Sequence, residues 1–128
     1  MNAVIVTGIS MRPYLLSGDV LLVKEVEHPL PFGSLVLARN VHGEQIVHRY
    51  LGRGKVKGDK VKHWDDIKSI DYMILARMEN ETKIDLHKRP VNHALAVLSF
   101  FNQKKFFIIH KISSVLISLL GKWGRHGQ

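Results

Sequence analysis

The 128-residue chain contains no cysteine. This absence excludes a disulfide framework, a thiolate zinc site and a cysteine nucleophile. Acidic residues are also scarce, since 11 Asp and Glu face 19 Lys and Arg, for a formal net charge of +8. Such an excess suits an anionic partner, either a nucleic acid backbone or an anionic membrane surface. A hydrophobic content of 45% with 23% charged residues is typical of a globular protein.

Long hydrophobic runs are absent as well. Residues 2–9 are apolar but too short for a signal-peptide core, and they lack a basic lead. The C-terminal apolar stretch is interrupted by His110 and Lys111, and at about 1.5 Å per residue it falls short of a bilayer core of about 30 Å. We therefore expect no signal peptide and no transmembrane span, in a chain that is cytoplasmic or peripheral to a membrane.

The first 90 residues read as short strands, because β-branched runs alternate with glycine and proline. The predicted strands are 20–26, 34–39, 44–51 and 54–57, followed by a hairpin of 72–78 and 82–86. We predict a mainly β fold in which a small coiled antiparallel barrel hides its own edges. Residues 1–90 then form a β-domain that carries the chemistry.

Residues 91–128 change in character and read as a basic amphipathic helical extension. Helices are predicted over 92–102 and 106–122. In the second, Lys111, Ser114, Ser118, Lys122 and Arg125 share one stripe, and apolar faces come from Phe107, Ile108, Ile109, Ile112, Leu116 and Leu119. Two alternatives stay open for residues 106–122: peripheral contact with a membrane, or packing against the barrel or a partner.

The segment 8–19, Gly-Ile-Ser-Met-Arg-Pro-Tyr-Leu-Leu-Ser-Gly-Asp, concentrates unusual residues around Ser10. Gly8 frees the backbone just before the serine, and Pro13 fixes φ three residues after it. A hydroxyl on a stiff segment at the edge of a β-structure suits a nucleophile better than it suits packing. The alternative is that Ser10 caps a turn.

The pattern Gly-x-Ser-Met-x-Pro-x-Leu-x-x-Gly-Asp resembles the nucleophile box of type I signal peptidases and of the LexA-like self-cleaving repressors, which belong to one serine peptidase superfamily. Residues 45–50, Gln-Ile-Val-His-Arg-Tyr, are similar to the histidine strand of the endoplasmic-reticulum and archaeal branch. The resemblance covers about residues 3–80. It implies that Ser10 is the nucleophile and His48 its general base. Histidine suits that role because its ordinary pKa is about 6.5.

A third element of the same branch, Lys-Gly-Asp with a second aspartate six residues later, resembles residues 57–65. The resemblance implies that one of Asp59 and Asp65 orients the imidazole of His48. We favour Asp65 as the orienting acid and Asp59 as a residue that the turn requires. Asp66 is a neighbour that could replace either one, and His63 is the alternative base.

The resemblance also outlines the region that binds substrate and oxyanion, around Gly8, Ile9, Met11 and Pro13. Many family members have a serine two residues before the nucleophile, and its hydroxyl helps to bind the oxyanion. This chain has Gly8 there, preceded by Thr7. Backbone N–H groups around Ser10, helped by Thr7, would then stabilise the oxyanion.

The resemblance implies a serine endopeptidase that cleaves a leader or precursor peptide without a cofactor. Two alternatives are a catalytically idle module that binds a peptide or a partner, and a self-processing LexA-like regulator, against which His48 argues.

We expect no metal, because His42, His48 and His63 lack ligand spacing. Nucleic acid is not an expected partner, since the basic run reads as a solvated strand face. The run comprises Arg49, Arg53, Lys55, Lys57, Lys60 and Lys62. Oligomeric state stays open.

Overall fold

The structure, a computed structural model, describes residues 2–8, 11, 14–60, 63, 65–87, 89–101 and 107–126. The strands are β1 (Asn2–Ile5), β2 (Val20–Lys24), β3 (Leu35–Asn40), β4 (Gln45–Tyr50), β5 (Val56–Lys57), β6 (Ile67–Glu79) and β7 (Thr82–Asp85), and the helices are α1 (Pro90–Phe101) and α2 (Phe107–His126).

The strands form one antiparallel sheet in the order β1-β2-β6-β3-β4-β5, with β7 also paired to β6. The long strand β6 is central: Met73 pairs with β2 on one edge and with β3 on the other. The register shifts opposite β2 and β3 each leave an extra residue in β6, and such bulges bend the strand that contains them. The sheet curls into a half-barrel with the helices after it, which confirms the predicted mainly β, antiparallel fold with a C-terminal helical part.

Two differences between the predicted and the observed strands are larger than the small shifts at the ends of the other strands. The strand predicted over 72–78 begins at Ile67, because Ile67 and Ile70 pack beside a second, smaller apolar cluster of Val36, Ala38 and Val56. Strand β1 was not predicted. It has only four residues, and Ala3 and Ile5 are exposed although the stretch is apolar, so it does not show the alternation of a half-buried strand.

Both helices share the main core of the sheet. Leu95 of α1 and Ile117 of α2 are fully buried in the same cluster as Leu21 and Ile74. Complete burial of a side chain of this size contributes about 1.5–3 kcal/mol. The helices therefore close the open side of the curled sheet.

Gly33 sets how closely α1 approaches the sheet. Its φ of +92° lies in the left-handed region, and a Cβ there would lie 2.6 Å from the carbonyl oxygen of Asn92. Only glycine accommodates both the backbone angle and this approach. The contact brings the first turn of α1 next to the loop before β3.

Candidate active site

The nucleophile segment is described only in part, because Ser10 lies outside the described residues together with Ile9 and Pro13. Gly8, just before this gap, has a φ of +83°. A serine side chain is strained at that angle, so the local backbone explains why this chain has glycine where many members of the resembled family have serine.

Met11, immediately after Ser10, anchors the segment to the third sequence element. Its side chain is buried, and its Sδ accepts the N–H of Asp59 at 3.4 Å. The contact joins residues 48 positions apart in the sequence. The nucleophile segment and the Lys-Gly-Asp turn are therefore neighbours.

The end of the nucleophile segment is held by α2. Arg125 donates to the two carboxylate oxygens of Asp19 at 2.8 and 3.0 Å, and to the carbonyl oxygen of Tyr14 at 3.1 Å. Burial alone would raise the pKa of Asp19, but hydrogen bonds from Arg125 and from the N–H of Leu16 lower it overall. Asp19 is thereby kept as a carboxylate that ties the segment to the helix.

His48 lies on β4 beside Asp65. The Nδ1 atom of His48 is 2.6 Å from Oδ2 of Asp65, and both atoms are shielded from solvent. The backbone produces this contact, since β5 pairs with β4 and Asp65 forms a bridge with Val56 of β5. This is the relation between base and orienting acid that a Ser-His-Asp triad requires.

Asp59 has a different partner. It accepts from Nε and Nη2 of Arg49 at 2.8 and 2.9 Å, and both side chains are almost fully buried. Arg49 Nη1 also donates to the carbonyl oxygen of Gly33 at 2.8 Å and to Oδ1 of Asn92 at 3.2 Å. The guanidinium lies 5.3 Å from the ring centre of Tyr14. This buried pair thus braces the turn against β4, α1 and the nucleophile segment.

The prediction of a solvated basic face is wrong for two members of the basic run. Arg49 and Lys57 are both 0% exposed. They pair directly across β4 and β5, and both charges point into the protein because Asp59 and α1 supply polar partners there. Arg53 is exposed and Lys55 is half-buried, and both lie in the turn between β4 and β5.

Lys57 is a buried ammonium next to the candidate site. Its Nζ donates to Oγ of Ser99 on α1 at 3.1 Å and to the carbonyl oxygen of Gly58 at 3.0 Å. Burial lowers the pKa of Lys57 to about 8, although the charges of Asp59 and Asp65 partly oppose this. Neutral and charged forms are therefore close in free energy near physiological pH.

This pKa predicts a pH-dependent stability. Between pH 8 and the usual Lys57 pKa of 10.5, the unfolded chain holds the proton that the folded chain has lost, so stability rises with pH. The rise amounts to about 3 kcal/mol at most. In Lys57→Met it should be absent. Urea unfolding of both proteins between pH 7 and pH 10 measures the difference, and parallel curves would contradict the prediction.

A cavity of about 390 Å³ borders the candidate site. Its wall includes His48 of β4, and Gly8 and Met11 on either side of residues 9–10. Apolar and polar residues share the remaining wall, and its other lining residues are Val4, Ile5, Val6, Thr7, Leu37, Glu44, Gln45, Ile46 and Val47. The volume suits a few residues of a peptide.

Two strand edges flank this cavity. Strand β1 pairs with β2, and residues 45–48 of β4 pair with β3; among the described strands neither stretch has a second neighbour. Such edges offer N–H and C=O groups to an extended chain. Thr7 and Gly8 are both exposed at the same cavity.

The remaining candidates are the alternative base and the neighbouring acid. His63 is exposed, and Asp66 is exposed with its carbonyl oxygen accepting the N–H of Val41 at 3.3 Å. Sequence reasoning missed the buried partners Arg49, Asn92 and Ser99. The position of Arg49 next to His48 in β4 was a sequence signal that Arg49 lies near the site. The sequence contains no such signal for Asn92 and Ser99 of α1.

Comparison with known proteins adds no family assignment, since no family model, no curated protein and no solved structure matches the chain. Among the described residues, no cluster of three or more histidine, aspartate and glutamate side chains is arranged to hold a metal ion.

Proposed function

We propose that this protein is a serine endopeptidase similar to the Ser/His branch of the type I signal peptidases. One observation carries the proposal: the His48–Asp65 pair, 2.6 Å apart, borders the cavity that Gly8 and Met11 also line. Those two residues flank the segment that contains Ser10. The pattern in the sequence and the geometry of the base thus support the same chemistry independently.

In the proposed reaction, Oγ of Ser10 attacks the scissile carbonyl carbon while Nε2 of His48 takes the hydroxyl proton. Asp65 at Nδ1 leaves Nε2 as the basic nitrogen and stabilises the imidazolium. The C–N bond then breaks, the amine leaves with the proton from His48, and an ester to Ser10 remains. Water attacks this ester, its proton passes to His48, and the serine hydroxyl is restored as the acid product departs.

The proposed substrate is an extended peptide that adds as a strand to the edges beside the cavity. Main-chain hydrogen bonds would hold it, and shallow pockets would select small side chains. By analogy with the resembled family, we propose that this peptide is the leader of a precursor protein.

The test is mass spectrometry of a diverse peptide library incubated with the full chain and with Ser10→Ala. We expect cleavage by the wild-type protein at a defined sequence position and none by the variant. Circular dichroism of both proteins controls for folding. Equal cleavage by the two proteins would contradict the assignment of Ser10.

Two other outcomes would replace the proposal. If neither protein cleaves any peptide but one peptide binds tightly, the chain is a binding module on the same fold. If the intact mass of the wild-type protein falls on incubation while that of Ser10→Ala does not, the chain is a self-processing regulator.

A further inference from the structure

The side of α2 that faces solvent is apolar. Its exposed apolar residues recur at helical spacing, with exposed fractions from 43% to 63%, and they are Ile112, Val115, Leu116, Leu119 and Trp123. We call these five residues the outer face. The opposite side of α2, against the barrel, contains Ser113, Ile117 and Gly121. Between residues 112 and 123, five large apolar side chains of the helix thus face solvent, whereas Ile117 is buried.

Helix α1 extends the outer face. Leu98 of α1 and Leu120 form a groove with Leu116, Leu119 and Trp123, with a volume of about 350 Å³. Val97 of α1 is also exposed. A contiguous apolar surface of this kind marks an interaction site rather than an ordinary protein surface.

The charge of the helical part indicates which kind of partner this surface would bind. All 11 acidic residues precede Pro90, so residues 90–128 contain none. The same stretch carries five basic residues: Lys104, Lys105, Lys111, Lys122 and Arg125. Lys122 is exposed and adjoins Trp123. A second copy of this chain would bring together two helical segments that have a net positive charge and no carboxylates of their own, although Arg125 is already paired with Asp19.

We propose that the α1–α2 hairpin docks on an anionic lipid bilayer, with α2 lying in the plane of the interface and the outer face in the headgroup region. An anionic bilayer offers an apolar layer for the outer face and negative headgroups for the basic residues beside it. Tryptophan is favoured at this depth. No helix of the described residues has the length and hydropathy to cross a bilayer.

This docking does not depend on the proposed peptidase activity, but it would orient the candidate site. The same helix that carries the outer face holds Asp19 and Tyr14 through Arg125, two residues after Trp123. A bilayer under α2 would therefore lie at a set distance from the nucleophile segment.

The test uses the full chain with Trp64→Phe, which leaves Trp123 as the single tryptophan. Vesicles of phosphatidylcholine alone are compared with vesicles of equal parts phosphatidylcholine and phosphatidylserine. We expect Trp123 emission to shift to shorter wavelength with the anionic vesicles only, together with co-sedimentation that weakens as salt is added.

A matched pair of valines controls the experiment, since Val115 on the outer face and Val41 in the β3–β4 turn are each 60% exposed. Val115→Glu should weaken vesicle binding about tenfold or more, Lys122→Ala about fivefold, and Val41→Glu should leave it unchanged. Equal losses in the two valine variants would overturn the proposal, as would equal binding to both vesicle types or binding to neither. A dimer that Val115→Glu dissociates, without vesicle binding, would assign the surface to a second copy instead.

Discussion

His48→Ala is expected to slow peptide cleavage by about 10⁴-fold or more, because a neutral serine hydroxyl is a weak nucleophile without its base. Asp65→Asn should slow it by up to about 10⁴-fold, since the amide no longer favours the required imidazole tautomer. The variant with both changes should be no slower than His48→Ala alone, because the two residues act as one unit. Single-turnover rates on a peptide from the library measure all three.

Asp66→Asn is the matched control for the Asp65 prediction. Asp66 is the next residue in the chain and is exposed, whereas Oδ2 of Asp65 is shielded against His48. We expect a change of less than about twofold in this control. A large loss in Asp66→Asn with full activity in Asp65→Asn would transfer the orienting role to Asp66. A loss in Ser10→Ala but not in His48→Ala would transfer the role of base to another residue, and His63→Ala would test that.

Asp59→Asn is expected to destabilise the protein by about 3–5 kcal/mol, because it leaves the buried guanidinium of Arg49 without its counter-charge. A domain of this size has a total stability of about 5–15 kcal/mol. This loss is therefore a large part of the whole. Urea unfolding at neutral pH measures it, with Asp66→Asn again as the exposed control.

A second pair of variants keeps this prediction testable if Asp59→Asn fails to fold. Arg49→Met alone should cost a similar amount, since it leaves the Asp59 carboxylate buried without a partner, whereas Arg49→Met with Asp59→Leu should cost much less than the sum. Additive losses in the double variant would contradict the coupling. A loss below about 1 kcal/mol in Asp59→Asn would show that water reaches the pair.

The outer face of α2 illustrates a limit of pattern reasoning. The sequence predicted an amphipathic helix with Ser114 and Ser118 on a polar stripe, but in the structure both residues are half-buried and Lys60 donates to Ser118. Periodicity shows that a helix has one apolar and one polar face. It does not identify which side meets the barrel, because small side chains such as Gly121 allow closer packing than large apolar ones.

The strand pattern, in contrast, was informative for most of the sheet. Alternating β-branched runs predicted β2, β3, β4 and the β6–β7 hairpin, because strand formation here follows local side-chain preferences and turn residues. Strand β1 escaped this reasoning. It is held by its pairing with β2, and its own sequence does not identify that partner strand.

Patterns along the chain are enough to predict the mainly β class and the helical C-terminal part. They also locate the three spaced elements around Ser10, His48 and residues 57–65, since each depends on neighbours in the sequence. The tertiary structure alone decided that Asp65 meets His48 while Asp59 meets Arg49. It also decided that Arg49 and Lys57 are buried, through partners 43 and 42 residues away in Asn92 and Ser99. Such contacts depend on which surfaces the fold brings together, and a one-dimensional pattern does not contain that information.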